Sequence, residues 1–180
     1  MNLIETFQNL VAQVPELVQP LIVALAGAIP FIEGEGATAI GIIGGIHPVI
    51  AAIAAMAGNF LCVMVLVLAS SGARNAIVQR NRTRQLVTAD GATAADPTIA
   101  EIDAAHGSAR KQKFQRAFER YGVPGVSLLG PLLLPTQFTA TMLAASGINK
   151  ARVLFWQAIA IIGWTTITAI IVGGALSVVS

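Results

Sequence analysis

The sequence predicts an all-α integral membrane protein, an inverted repeat of a re-entrant helical hairpin plus a transmembrane helix, with amphipathic surface helices. Three observations predict it. Hydrophobic residues make up 55% of the 180 and charged residues only 11%, where a soluble domain carries about 25% charged residues. All eleven Lys and Arg residues lie between Arg74 and Arg152, the bias that the positive-inside rule assigns to cytoplasmic chain. Two apolar blocks are interrupted by Pro and Gly at matching spacings. The mean hydropathy is +0.74, and the regions 17–47, 48–70 and 123–178 each meet the roughly 20 residues that a helical span needs.

The length predicts one membrane domain over 1–180. Within 1–16, Leu3, Phe7, Leu10 and Val14 form one helical stripe with Leu17, the pattern of a helix lying on a membrane surface. Pro15 ends it. Repeat one covers 20–70. Its first part, 20–46, is broken by Pro and Gly, and its second, 48–70, is an uninterrupted span with Pro48 in the first turn, where a missing N–H is harmless.

Residues 71–121 are expected in the cytoplasm. The stretch 88–107 is small, polar and acidic and reads as a linker. Residues 108–121 read as a helix. Phe114, Ala117, Phe118 and Tyr121 share one face, and Lys111, Lys113, Arg116 and Arg120 border it, as suits a helix resting on an anionic leaflet. Repeat two covers 122–178. Pro124, Gly130, Pro131 and Pro135 break its first part, and 153–176 is a second full span with Trp156 as an interface anchor.

The two blocks share a spacing. Pro30 precedes Gly58 by 28 residues, and Pro135 precedes Gly163 by 28. "GIIGGI" at 41–46 and "LAASGI" at 143–148 match with a three-residue slip. If 20–46 is a hairpin opening outside, the span 48–70 runs inward and meets Arg74. The hairpin 123–148 then starts after Arg120, opens inside, and ends before Lys150. The halves are inverted, which is a common plan of secondary transporters. If both blocks cross fully instead, Lys150 and Arg152 fall outside, against the charge rule.

The apolar chain keeps two carboxylates in "PFIEGEG", Glu33 and Glu35, at the expected tip of the first hairpin. Gly27, Pro30, Gly34 and Gly36 shape that hairpin, and Gly130, Pro131 and Pro135 the other. A charged side chain in hydrocarbon costs about 3 kcal/mol or more, so it needs a partner, water or a proton. A carboxyl shielded from water favours its neutral form, which makes either glutamate a candidate proton or cation site. The alternative places both at the outer headgroups, ending a short helix. From the second hairpin Thr136, Gln137 and Thr139 reach the same depth, Gln137 foremost. Thr139 and Thr141 have the alternative of bonding their own helix. Asn59 lies mid-span, lining the cavity or joining helices. Thr165, Thr166 and Thr168 are weaker candidates. Arg120 and Arg152 flank the inner rim and fix topology or attract an anionic headgroup.

Other chemistry is not indicated. His47 and His106 have no partner at ligand spacing, so no metal is assigned. No phosphate loop or nucleophilic triad is present, so no enzyme activity and no cofactor are expected. The basic residues report orientation and do not indicate nucleic acid. The lone Cys62 lies in an apolar run as a buried thiol. A cleavable signal peptide is not expected, because the N-terminus has Glu5 and Glu16 and lacks a basic stretch.

"GAIPFIEGEG", "AGN" at 57–59 and "LLLPTQFTATMLAASG" together resemble the small multidrug export protein family, itself related to the DedA/VTT membrane proteins. The resemblance covers about 24–62 and 122–170. It implies paired re-entrant hairpins, and the likeness of "GEG" at 34–36 to the DedA "PGE" element carries that family's acid onto Glu35. The chain departs from the pattern in three places. "IVALA" stands where the export family has a Glu-Arg pair, "PTQF" lacks that family's glycines, and Gln137 and Thr139 stand near the DedA-type arginine.

The expected function is that of a small secondary transporter, coupled to a proton or monovalent cation and moving a small amphipathic or cationic solute. It is expected as a homodimer among the lipids of a bacterial plasma (inner) membrane. The alternatives are a DedA-like flippase of a lipid carrier and a non-transporting membrane scaffold.

Overall fold

The computed structural model describes residues 6, 7, 9, 13–88 and 122–179, without the side chains of 77, 80–88 and 179. Most of the surface helix expected over 1–16 lies outside the described residues, as do the linker after Thr88 and the basic helix 108–121 with Arg120. What is described is an all-α bundle.

Helix α1, Gln19–Gly27, carries Pro20 in its first turn. The chain then breaks over 28–32 and re-enters a helix as α2, Glu33–Ile43. Gly45, at φ +89°, turns the chain, and the Ile46 N–H donates to the Gly41 carbonyl at 3.0 Å. Only a residue without a Cβ takes that φ cheaply, which is why glycine ends the helix here. His47 follows and caps the next helix: its Nδ1 accepts the Val49 N–H at 3.3 Å. Helix α3 then runs Pro48–Thr88.

The second half has the same element order. Helical residues 122–129 form α4, and a 3-10 turn follows at Gly130–Leu132. After Pro135, α5 runs Thr136–Ala145. Gly147, at φ +85°, makes the turn. The Asn149 Oδ1 accepts the Ala151 N–H at 2.9 Å, capping α6, Lys150–Val179.

Among the described residues two helices are long and apolar enough to cross a membrane, with candidate spans at Pro48–Ala76 and Lys150–Val178. At about 1.5 Å per residue, either is longer than the roughly 30 Å of a bilayer core. Helix α3 is longer than the expected 48–70. Between Arg74 and Thr88 there is no proline and no glycine to stop it, so it continues through the polar stretch.

Helix α3 is the hub, packing against α1, α2, α5 and α6. Two apolar clusters lie along it. One joins Ala51 and Ala55 to Val23, Ala26 and Ile40 of the first half. The other joins Val63 and Val67 to Val126, Leu143 and Val153 of the second. Asn59 lies on α3 between the two clusters. Helices α1 and α3 meet backbone to backbone: a Cβ at Gly58 would overlap the Ala24 carbonyl, so only glycine permits the approach.

Outward, the bundle presents Ile53, Leu61, Val65, Ile162, Ile170 and other large apolar side chains. Inward, it buries Glu33, Asn59, Thr136, Gln137, Gln157 and Thr165. A water-soluble fold sorts these types the other way.

Candidate functional site

The site is where the two breaks meet. The break at 28–32 aims the start of α2 at the start of α5. Its backbone is strained: Phe31 has φ +73° and Glu33 φ +53°, a region that costs about 1–2 kcal/mol for a residue with a Cβ. Glu33 is only 7% exposed. Its Oε1 accepts the backbone N–H of Thr136 and its Oε2 accepts the Thr136 hydroxyl at 3.0 Å. Thr136 is the first residue of α5, after Pro135 with ψ 141°. The carboxylate of one half thus caps a helix of the other. It meets the positive end of the helix dipole and occupies donors that the helix itself leaves free.

The bonds extend from there. The Thr139 hydroxyl donates to the Thr136 carbonyl at 2.9 Å and accepts from Gln157 Nε2 at 3.4 Å. Gln137 Nε2 donates to Asn59 Oδ1 at 3.2 Å. Helices α2, α3, α5 and α6 are therefore joined through one polar layer. Four further atoms in it are buried without a hydrogen-bond partner: Asn59 Nδ2, Gln137 Oε1, Gln157 Oε1 and Thr165 Oγ1. Each such group is costly, about 1–3 kcal/mol, unless water or a solute meets it.

The glycines of "PFIEGEG" do not make the tight backbone expected of them. The left-handed residues are Phe31 and Glu33, whereas Gly34 and Gly36 lie inside α2. Gly34 instead makes room: a Cβ there would overlap Thr165 Oγ1 and lie 3.6 Å from Asn59 Nδ2. Gly27 ends α1 against the Ala55 carbonyl, and a Cβ at Gly130 would lie 2.8 Å from Thr139 Cγ2. Pro30 lies exposed in the first break, and Pro131 lies in the 3-10 turn of the second.

Glu33 and Glu35 part ways. Glu35 is half-buried and has no place in the Thr136 cap. It lines a cleft of about 260 Å³ with Glu33, Phe31, Gly36, Pro131, Leu132 and Trp164. The first break also touches α5 through Phe31 and Phe138, whose ring centroids are 6.3 Å apart. Trp164 Nε1 donates to the Leu128 carbonyl at 2.9 Å, tying α4 to α6. Thr141 turns back to its own helix, donating to the Gln137 carbonyl at 2.6 Å. Arg152 is exposed near the start of α6.

Sequence reasoning missed Gln157. It is fully buried and central to the layer. Its signal was a lone amide inside the span 153–176, the same kind of signal that singled out Asn59. Among the described residues no group of three or more His, Cys, Asp or Glu side chains is placed to hold a metal ion. No family model, curated protein or solved structure matches this chain.

Proposed function

We propose that this chain is a small secondary transporter of a bacterial plasma membrane, in which Glu33 couples a proton or monovalent cation to the movement of a small amphipathic or cationic solute. In this reading 20–46 and 123–148 are re-entrant hairpins of opposite orientation, 71–121 is cytoplasmic, and two copies associate. The resemblance of the motifs to the small multidrug export family agrees with a transporter, and their resemblance to the DedA/VTT proteins agrees with the flippase alternative. The observation that carries the reading is the link from Glu33, at the start of α2, to Thr136 at the start of α5.

The proposed cycle follows from what a proton does to that link. An ionised carboxylate accepts two hydrogen bonds and attracts the α5 N-terminus. A protonated one loses the charge and much of its acceptor strength. The halves then separate more easily, and the strain at Phe31 and Glu33 favours release. The adjoining cleft offers two carboxylates beside Phe31 and Trp164. Acid with aromatic faces is a fit for a cation carrying an apolar body. Near the second break the polar groups are the neutral Gln137 and Thr139, which favours a cationic solute over the phosphate of a lipid carrier.

Proteoliposomes test the reading. Substrate-dependent proton flux, screened with lipophilic cations and with lipid carriers, is expected in the wild type, absent in Glu33→Gln and retained in Glu35→Gln. Unchanged flux in Glu33→Gln sinks the coupling role. Flux dependent only on a lipid carrier turns the assignment to a flippase, and folded protein without flux turns it to a scaffold.

A further inference from the structure

A second cleft, of about 210 Å³, lies between α3 and the turn that joins α5 to α6. Its polar lining is Ser71, Arg74, Asn75, Asn149 and Lys150, and no carboxylate of a described residue lines it. Ser71 is 9% exposed, and its hydroxyl is buried without a hydrogen-bond partner. The Arg74 guanidinium lies across Gly147, where a Cβ would come 2.6 Å from Nη2. The described carboxylate residues are Glu16, Glu33 and Glu35, so neither cation is neutralised by a described residue at this cleft. Lys150 begins the 30-residue α6, so the positive end of that helix dipole lies at the cleft, with the Ala151 N–H already taken by Asn149 Oδ1. Two cations, a helix start and an unsatisfied buried hydroxyl therefore converge on one concavity.

The depth of the cleft narrows the ligand. Arg74 is near the end of the candidate span Pro48–Ala76, and Lys150 begins the other. Both ends lie where headgroups meet water if these helices cross a bilayer. We propose that the cleft binds a phosphate group, paired with Arg74 and Lys150, with the Ser71 hydroxyl donating to one of its oxygens. A lipid phosphodiester and free phosphate share this chemistry. The inference rests on the membrane reading and is independent of proton coupling at Glu33.

The test uses the purified full chain in a neutral detergent, titrated separately with dioleoyl phosphatidylglycerol, dioleoyl phosphatidylcholine and inorganic phosphate. Bound lipid is counted by native mass spectrometry, and phosphate binding is read by calorimetry. Phosphatidylglycerol is expected to bind in preference to phosphatidylcholine. Lys150→Gln is expected to weaken it about fivefold, as is Arg74→Gln, from about 1 kcal/mol per basic residue near an anionic surface. Ser71→Ala is expected to weaken it less. Arg152→Gln removes an exposed charge two residues along α6 that does not line the cleft, and is expected to weaken binding clearly less than Lys150→Gln does. Because Arg74 packs on the Gly147 turn, Lys150→Gln decides if Arg74→Gln does not fold. Inorganic phosphate binding with the same Lys150 dependence, and no lipid preference, identifies free phosphate as the source. Equal losses in Lys150→Gln and Arg152→Gln, or binding indifferent to Lys150, overturn the site.

Discussion

The two halves share an element order but not a chemistry. Aligned on their glycine turns, Gly45 and Gly147, the long helices start together at Pro48 and Lys150. His47 then matches Asn149, and both cap. At the breaks the likeness ends. The alignment pairs Glu33 with Pro135 and Gly34 with Thr136, so the first half supplies the carboxylate and the second supplies the donors. A pair of identical breaks would set two carboxylates or two helix starts against each other. The link at Thr136 forms because the residues at the two breaks differ while the order of helices and turns is the same.

The largest expected effect separates two glycines that sequence spacing pairs. Gly58→Ala drives a methyl group into the Ala24 carbonyl, whereas a Cβ at Gly163 meets nothing within 4 Å. Gly58→Ala is expected to cost about 3 kcal/mol or more, with Gly163→Ala near zero. Unfolding midpoints in detergent measure both, and equal midpoints would break the distinction.

Next comes the link between the halves. Glu33→Ala leaves the α5 start uncapped and removes a charge-assisted pair of bonds, at a cost of about 2–3 kcal/mol. Thr136→Val keeps the N–H donor and loses only the hydroxyl, at about 1 kcal/mol. Denaturation of both variants in the same detergent ranks them, and the reverse order would mean that the cap is not what joins the halves.

The smallest effect sharpens the likeness of the turns. Gly45→Ala and Gly147→Ala should each cost about 1 kcal/mol for the left-handed backbone. Space is open at Gly45, whereas Arg74 must move at Gly147. Gly147→Ala should therefore be slightly worse, and Arg74→Ala in that background should remove the difference in midpoint.

Much of this was readable beforehand, and the failures have physical causes. The helix breaks at the prolines, the long apolar helices over 48–70 and 153–176, and the inward placement of Asn59, Thr136 and Gln137 follow from local rules about proline, hydropathy and the cost of polar groups in apolar chain. The spacing that paired Gly58 with Gly163 misled. The glycine turns instead pair Gly58 with the buried Ala160, which agrees with the three-residue slip between "GIIGGI" and "LAASGI". Proline marks a break without fixing its length, so the prolines are a poor ruler. Glu33 and Glu35 looked equivalent because both flank Gly34. Two residues apart on a helix, they face different sides, and only one of them meets α5.

Composition and the order of residues by themselves determined that this chain forms long apolar helices, where those helices are interrupted, and which few polar groups are too costly to leave in apolar surroundings. These are short-range properties, set by backbone stereochemistry and solvation. Tertiary structure alone decided that Glu33 finds Thr136, that Gln157 joins Thr139, and that Arg74 and Lys150 share a cleft. Residues far apart along the chain meet only where several helices pack at once, and no local spacing encodes which donor an acid will reach.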